Sequence, residues 1–260
     1  MSYVLRFSFL VLALSLVVLW LSVRTGVFLR KRRRILEENE REDFGMVMSA
    51  TLTLLGLIIG FSFSMAIYRY DQRKVLEEAE ANAIGTEYVR ADFLPTPDAA
   101  KVRALLRDYL DQRLLYYATR DERELGQIES ATVRLETELW SSVQVAAAAQ
   151  PTAPLTITAM GMNDVLNSRG YTQAAWLNRI PNAAWGLMAA IAIFCNLLIG
   201  YGARRGGAKT MLLLVLPIVI AISFTLIADI DSPRGGVVRV NAENLTSLAR
   251  SLHASNPDRP

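Results

Sequence analysis

An all-α membrane protein is what this sequence predicts, with four transmembrane helices arranged as two hairpins that flank a helical extramembrane region. Three observations carry the prediction. Of the 260 residues, 52% are hydrophobic and 20% charged, yet charges are almost absent from four long runs. Each run approaches the roughly 20 apolar residues needed to cross a hydrocarbon core. The polar stretch between the second and third runs keeps its apolar residues at helical spacing.

The first span covers about residues 5–23, with Arg6 its only charge. A secretory signal is the alternative, but the run is longer than a usual signal core and no small-x-small pattern precedes Arg24. A basic connection, 24–45, carries Arg24, Arg30, Lys31, Arg32, Arg33, Arg34 and Arg41. The second span, 46–68, completes the first hairpin, 1–68. From Arg69 to Phe93 there is no proline and one glycine, Gly85, so this span is predicted to leave the membrane as one uninterrupted helix. At 1.5 Å per residue, Met46 to Phe93 would reach about 70 Å.

The extramembrane region is assigned to 69–182. Pro95-Thr96-Pro97-Asp98 ends the long helix and starts another, with Thr96 as the expected cap, Pro97 in the first turn and Asp98 favouring the positive end of the dipole. Val102, Leu105, Leu106, Tyr109 and Leu110 recur at helical spacing in it. Further helices are expected over 121–149 and, past the break at Gln150-Pro151-Thr152-Ala153-Pro154, over 156–179. The second hairpin, 183–228, holds spans 183–201 and 211–228, joined by 202–210 with Arg204, Arg205 and Lys209. A C-terminal tail, 229–260, follows and is expected to be disordered beyond Pro257.

Orientation follows from the basic connections. The positive-inside rule counts Lys and Arg rather than net charge, so Glu37, Glu38, Glu40, Glu42 and Asp43 do not cancel it. It predicts a multi-pass inner-membrane protein with 24–45 and 202–210 in the cytoplasm and 69–182 in the periplasm. The net charge of +3 is small and its basic residues lie where orientation signals belong, so nucleic acid is not an expected partner. The bilayer is.

Enzyme chemistry is not expected. A single cysteine, Cys195, allows no disulfide or cysteine-based metal framework within the chain. A single histidine, His253, excludes histidine triads in the spans or central region and zinc chemistry of the HExxH type. Gly206-Gly207-Ala208-Lys209-Thr210 superficially resembles a phosphate loop, but Ala208 and Ala203 stand where glycines are required. No catalytic residue, cofactor or metal is assigned.

Small and polar residues inside the spans are more informative, because a bilayer penalises polar groups and gives helices little hydrophobic reason to associate. Ser49, Thr53, Gly56, Gly60 and Ser64 share one face of span two, and Gly56 and Gly60 form a GxxxG. Such a face serves either close helix packing or the lining of a pore. Ala189, Ala192, Asn196, Gly200 and Ala203 form a similar face in span three. Asn196 either bonds to a neighbouring helix or contributes to permeation. Pro217 is expected to kink span four. Asp229, Asp231 and Arg234 follow that span, either as charged rings at a pore mouth or as a solvated helix end with a local Asp-Arg pair. Glu77, Glu80 and Glu87 share a face of the long helix, to be solvated or to line a vestibule.

The runs "GLIIGFSFSMAIYRYDQRK", "EANAIGTEYVRADFLP", "LNRIPNAAW" and "DIDSPRGGVVRV" together resemble the bestrophin-like domain family of bacterial membrane proteins, named for a proposed similarity to bestrophin chloride channels. The resemblance implies a homo-oligomeric ring conducting inorganic ions, with span two, here Ser49 to Ser64, lining the pathway. An aromatic constriction would fall to Phe61 and Phe63, which lie off that stripe. It also implies both termini and the central region in the cytoplasm, opposite to the charge count, which we follow. The alternative function is a non-conducting membrane scaffold or sensor whose central helical region binds a partner.

Overall fold

The computed structural model describes residues 3–32, 38–149, 152–203 and 211–254, and among these the regular secondary structure is all helical. Arg33, Arg34 and Glu37, the Gln150-Pro151 break, Arg204 and Arg205, the Gly206 to Thr210 run and the tail after Pro257 lie outside the described residues. The helices are α1 (Tyr3–Arg32), α2 (Glu38–Arg90), α3 (Thr96–Ala118), α4 (Glu122–Ala149), α5 (Ala153–Leu177), α6 (Asn182–Gly202), α7 (Leu212–Asp231) and α8 (Glu243–Ala254), with a 3-10 turn, Ala91–Phe93, after α2. α1, α2, α6 and α7 contain the four stretches long and apolar enough to cross a membrane.

The uninterrupted second helix is as expected, at 53 residues. Two local expectations change. Pro95, not Thr96, is the cap of α3, and no side chain bonds to the free amides there. The C-terminal tail contains an amphipathic helix, α8, whose buried Leu245, Ala249 and Leu252 recur at helical spacing.

The chain divides into two compact units: Met1–Tyr70 with Arg179–Arg239, and Asp71–Asn178 with Val240–Pro260. α2 runs from the first into the second. In the membrane-spanning unit, α1 packs along both α6 and α7. The backbones of α1 and α6 meet where a Cβ on Gly26 would overlap the Leu197 carbonyl oxygen and one on Gly200 the Val23 carbonyl oxygen. Only glycine permits that approach. Leu19 of α1, Leu55 of α2, Met188, Ala192 and Cys195 of α6, and Ile220 and Phe224 of α7 form the core. Pro217 is buried inside α7.

The helical unit packs α4 between α3 and α5, with α8 against α3. Ile84, Val102, Leu106, Tyr109, Leu139, Met162, Val165 and Leu245 are among its fully buried core residues. Tyr116, Tyr117 and Trp176 stack beside it, with ring centroids 5.2 to 5.9 Å apart.

Candidate functional site

Span two is the least covered of the four. Within its most apolar stretch 6% of residues are buried, against 44% in α7. Leu55, Ser62 and Ala66 are the buried positions, and at 100° per residue Ser49, Thr53, Gly56, Gly60 and Ser64 point about 100° or more away from their mean direction. All five stripe residues are exposed. A Cβ added at Gly56 or Gly60 would meet nothing within 4 Å. Among the described residues no packing inside this chain therefore accounts for the glycines. The Thr53 hydroxyl donates to the Ser49 carbonyl at 2.9 Å, which settles its proton within the helix and leaves oxygen lone pairs facing outward. Phe61 is exposed, while Phe63 packs on the cluster of Ala66, Ile180, Ile227 and Ile230.

Asn196 is not brought to this face. It is fully buried in α6, and its amide donates to the Ala192 carbonyl of its own helix at 2.8 Å rather than across to another.

The three residues after span four behave differently from a presented ring of charge. Asp229 and Asp231 are each 6% exposed. The Asp229 carboxylate accepts from the Val237 and Val238 amides at 2.8 Å, folding the chain back over the end of α7. A Cβ on Gly236 would overlap the Asp229 carbonyl oxygen, so this return requires glycine there. Asp231 accepts from the Ile180 amide at 3.1 Å and lies 3.8 Å from Arg69 Nη1. Arg234 is half-buried. Within this chain the two carboxylates are thus held by the backbone amides of Val237, Val238 and Ile180, which would otherwise be buried without an acceptor.

The acidic face of α2 also departs from expectation. Glu77, Glu80 and Glu87 are 2%, 0% and 0% exposed. Arg73, Glu77, Glu80, Ile84, Glu87 and Ala91 form one buried seam at alternating spacings of four and three. Arg73 donates to the Ala175 and Asn178 carbonyls at 3.2 Å, completing the C-terminal end of α5. Glu77 accepts from the Leu245 amide at 2.9 Å and the Asn244 side chain at 2.6 Å, an anion at the N-terminus of α8. Glu80 pairs with Arg113 and accepts from Tyr117 at 3.3 Å and Thr172 at 3.1 Å. Burial works against the Arg113 charge, but Glu80 overrides it and raises the guanidinium above its ordinary value. Burial, then Glu80, pushes the Tyr117 hydroxyl up. Ile84 and Ala91 on the same face were the sequence signal that this seam is covered.

A family model for the bestrophin-like domain matches residues 9–245. A crystal structure of a bacterial bestrophin homologue from Klebsiella pneumoniae matches with a TM-score of 0.67 at 12% identity, over 97% of this chain and 99% of that one. A point-substituted form of that homologue gives 0.64 at 12% identity, again over 97% and 99%. A crystal structure described only as that of a membrane protein with a glycine-to-alanine substitution gives 0.63 at 11% identity over 97% of this chain and 99% of that one. No curated protein matches the sequence. At these identities the structural matches show the shared fold alone, while the family match spans both the membrane and the helical units. This chain belongs to the bestrophin-like domain family.

Proposed function

We propose that the protein is a homo-oligomeric inner-membrane ion channel whose α2 stripe, Ser49 to Ser64, lines the pathway. The observation that carries this is the open stripe itself: five small or hydroxyl residues in a membrane span, with no neighbour over either glycine. Lipid gives such a face no reward, whereas water beside hydroxyls and bare helix backbone is well accommodated. The fold shared with a bestrophin homologue is consistent with it, as is a family whose members are typically channels rather than enzymes. By the positive-inside rule the basic connections 24–45 and 202–210 face the cytoplasm and 69–182 the periplasm.

Purified protein in liposomes tests the pathway through ion flux. Wild type is expected to conduct, and Gly60→Leu to cut the flux at least about tenfold, since a buried-size side chain replaces open space. No flux, or flux indifferent to that substitution, removes α2 from the pathway. Thiol labelling of a cysteine placed at Asp98 in a Cys195→Ser background reads the orientation. Labelling only after the membrane is permeabilised would reverse it.

A further inference from the structure

Glu87 is unlike the other carboxylates of its seam. It is fully buried, and neither carboxyl oxygen has a hydrogen-bond partner. Its side chain lies in a notch of α5 that exists because residue 161 is glycine: a Cβ there would overlap both Glu87 Oε2 and Arg90 Nη1. The guanidinium thus reaches the same notch from one turn along α2, yet among the described residues no ion pair joins the two. Around them the contact is apolar, with Ile84 of α2 and Ala91 of the 3-10 turn in one cluster with Leu155, Met162 and Val165 of α5. Thr158 of α5 donates to the Arg90 carbonyl at 3.3 Å. Three arginines of α3 are engaged elsewhere: Arg103 with Asp92 and the Tyr88 carbonyl, Arg107 with the Tyr88 hydroxyl, and Arg113 with Glu80, while Lys101 is exposed.

A carboxylate ion without donors in such a place is strongly disfavoured. We propose that Glu87 is a proton-operated latch between α2 and α5: neutral when the helices close over Gly161, and on ionising drawn to Arg90 so that this contact opens. Burial pushes the carboxyl from 4.5 up to about 8, Arg90 opposing and the exposed Asp164 of α5 adding to the shift. Between pH 4.5 and about 8 the closed form keeps a proton that an ordinary glutamate has released. Closure therefore weakens as pH rises through that window and is weakest above it. The latch stands on the helical unit alone and does not depend on whether the protein conducts.

Infrared spectroscopy of the full chain in nanodiscs, with carboxyl-labelled glutamate, reads the protonated acid directly. Wild type is expected to lose a glutamic-acid carbonyl band with a midpoint near pH 8, and Glu87→Gln to lack that band. Glu87→Asp restores a titrating acid with a shifted midpoint, outside the glutamate label. Gly161→Ala fills the notch, so its midpoint should fall toward the ordinary carboxylate range. Hydrogen exchange over 84–91 and 158–165, corrected for its intrinsic pH dependence, is expected to rise several-fold across the wild-type midpoint and to stay flat in Glu87→Gln. Absence of a glutamic-acid band titrating above pH 6 in wild type overturns the latch, and needs no variant to fold. So does an exchange profile that Glu87→Gln leaves unchanged.

Discussion

Gly56 and Gly60 of α2 and Gly200 of α6 each sit in a membrane span, within a face of small residues carrying a hydroxyl or an amide, but their surroundings are opposite. On α6 the face is closed from Ala192 to Gly200: Ala192 and Asn196 are fully buried, and the Gly200 backbone touches that of α1 at Val23, while Ala189 at one end is exposed. On α2 the face is open along its length. The difference teaches that a small-residue stripe states how closely something can approach, not what does. Close approach of α1 is an internal contact that holds the unit together. Openness on α2 leaves the same chemistry available to water, ions or another copy.

Substitutions that separate these two roles should fall in a clear order. Gly200→Leu is the largest: its side chain would be driven into the main chain of α1, which has no rotamer to yield. We expect a loss above about 3 kcal/mol, seen as failure to recover folded protein or a collapse of thermal stability in detergent. Gly26→Ala attacks the same crossing from α1 and should cost about 2 kcal/mol in the same measurement. Asn196→Leu is smaller. Its amide donates only within α6, so replacing it should leave stability within about 1 kcal/mol of wild type; a larger loss would mean that the amide joins helices after all. Gly56→Ala with Gly60→Ala is smallest for the fold, because nothing stands over either site, and higher helix propensity adds at most about 1 kcal/mol per site. An effect of that pair on oligomer size or flux without an effect on unfolding would sharpen the contrast between the faces. Unfolding of the isolated subunit by the pair would break it.

The acidic seam offers the same lesson in water. Glu77, Glu80 and Glu87 recur on one helix face, and recurrence alone is equally compatible with solvation. Their burial became decidable only when Arg113, Thr172, Leu245 and Gly161 arrived from α3, α5 and α8. Each of those partners lies 33 or more residues away for Arg113 and farther for the rest, so no window on α2 contains it. Ile84 and Ala91, apolar and in phase with the carboxylates, were the local trace of a covered face. α8 was legible in the same way, from the spacing of Leu245, Ala249 and Leu252, but stood in a stretch read as tail.

What the sequence by itself determined is therefore the set of elements: four apolar runs, one helix continuing out of span two as far as Arg90, and the helices divided near the prolines at 95 and 154. These rest on hydropathy, on 3.6-residue periodicity and on the missing amide of proline, which are properties of neighbouring residues. Tertiary structure alone decided which polar residues are covered. It closed the α6 face with α1 and left the α2 face open, turned Asp229 and Asp231 inward to backbone amides, and set Glu87 in the notch at Gly161. Whether a buried charge or a bare glycine is tolerated depends on the atoms opposite it, and long-range packing supplies those atoms.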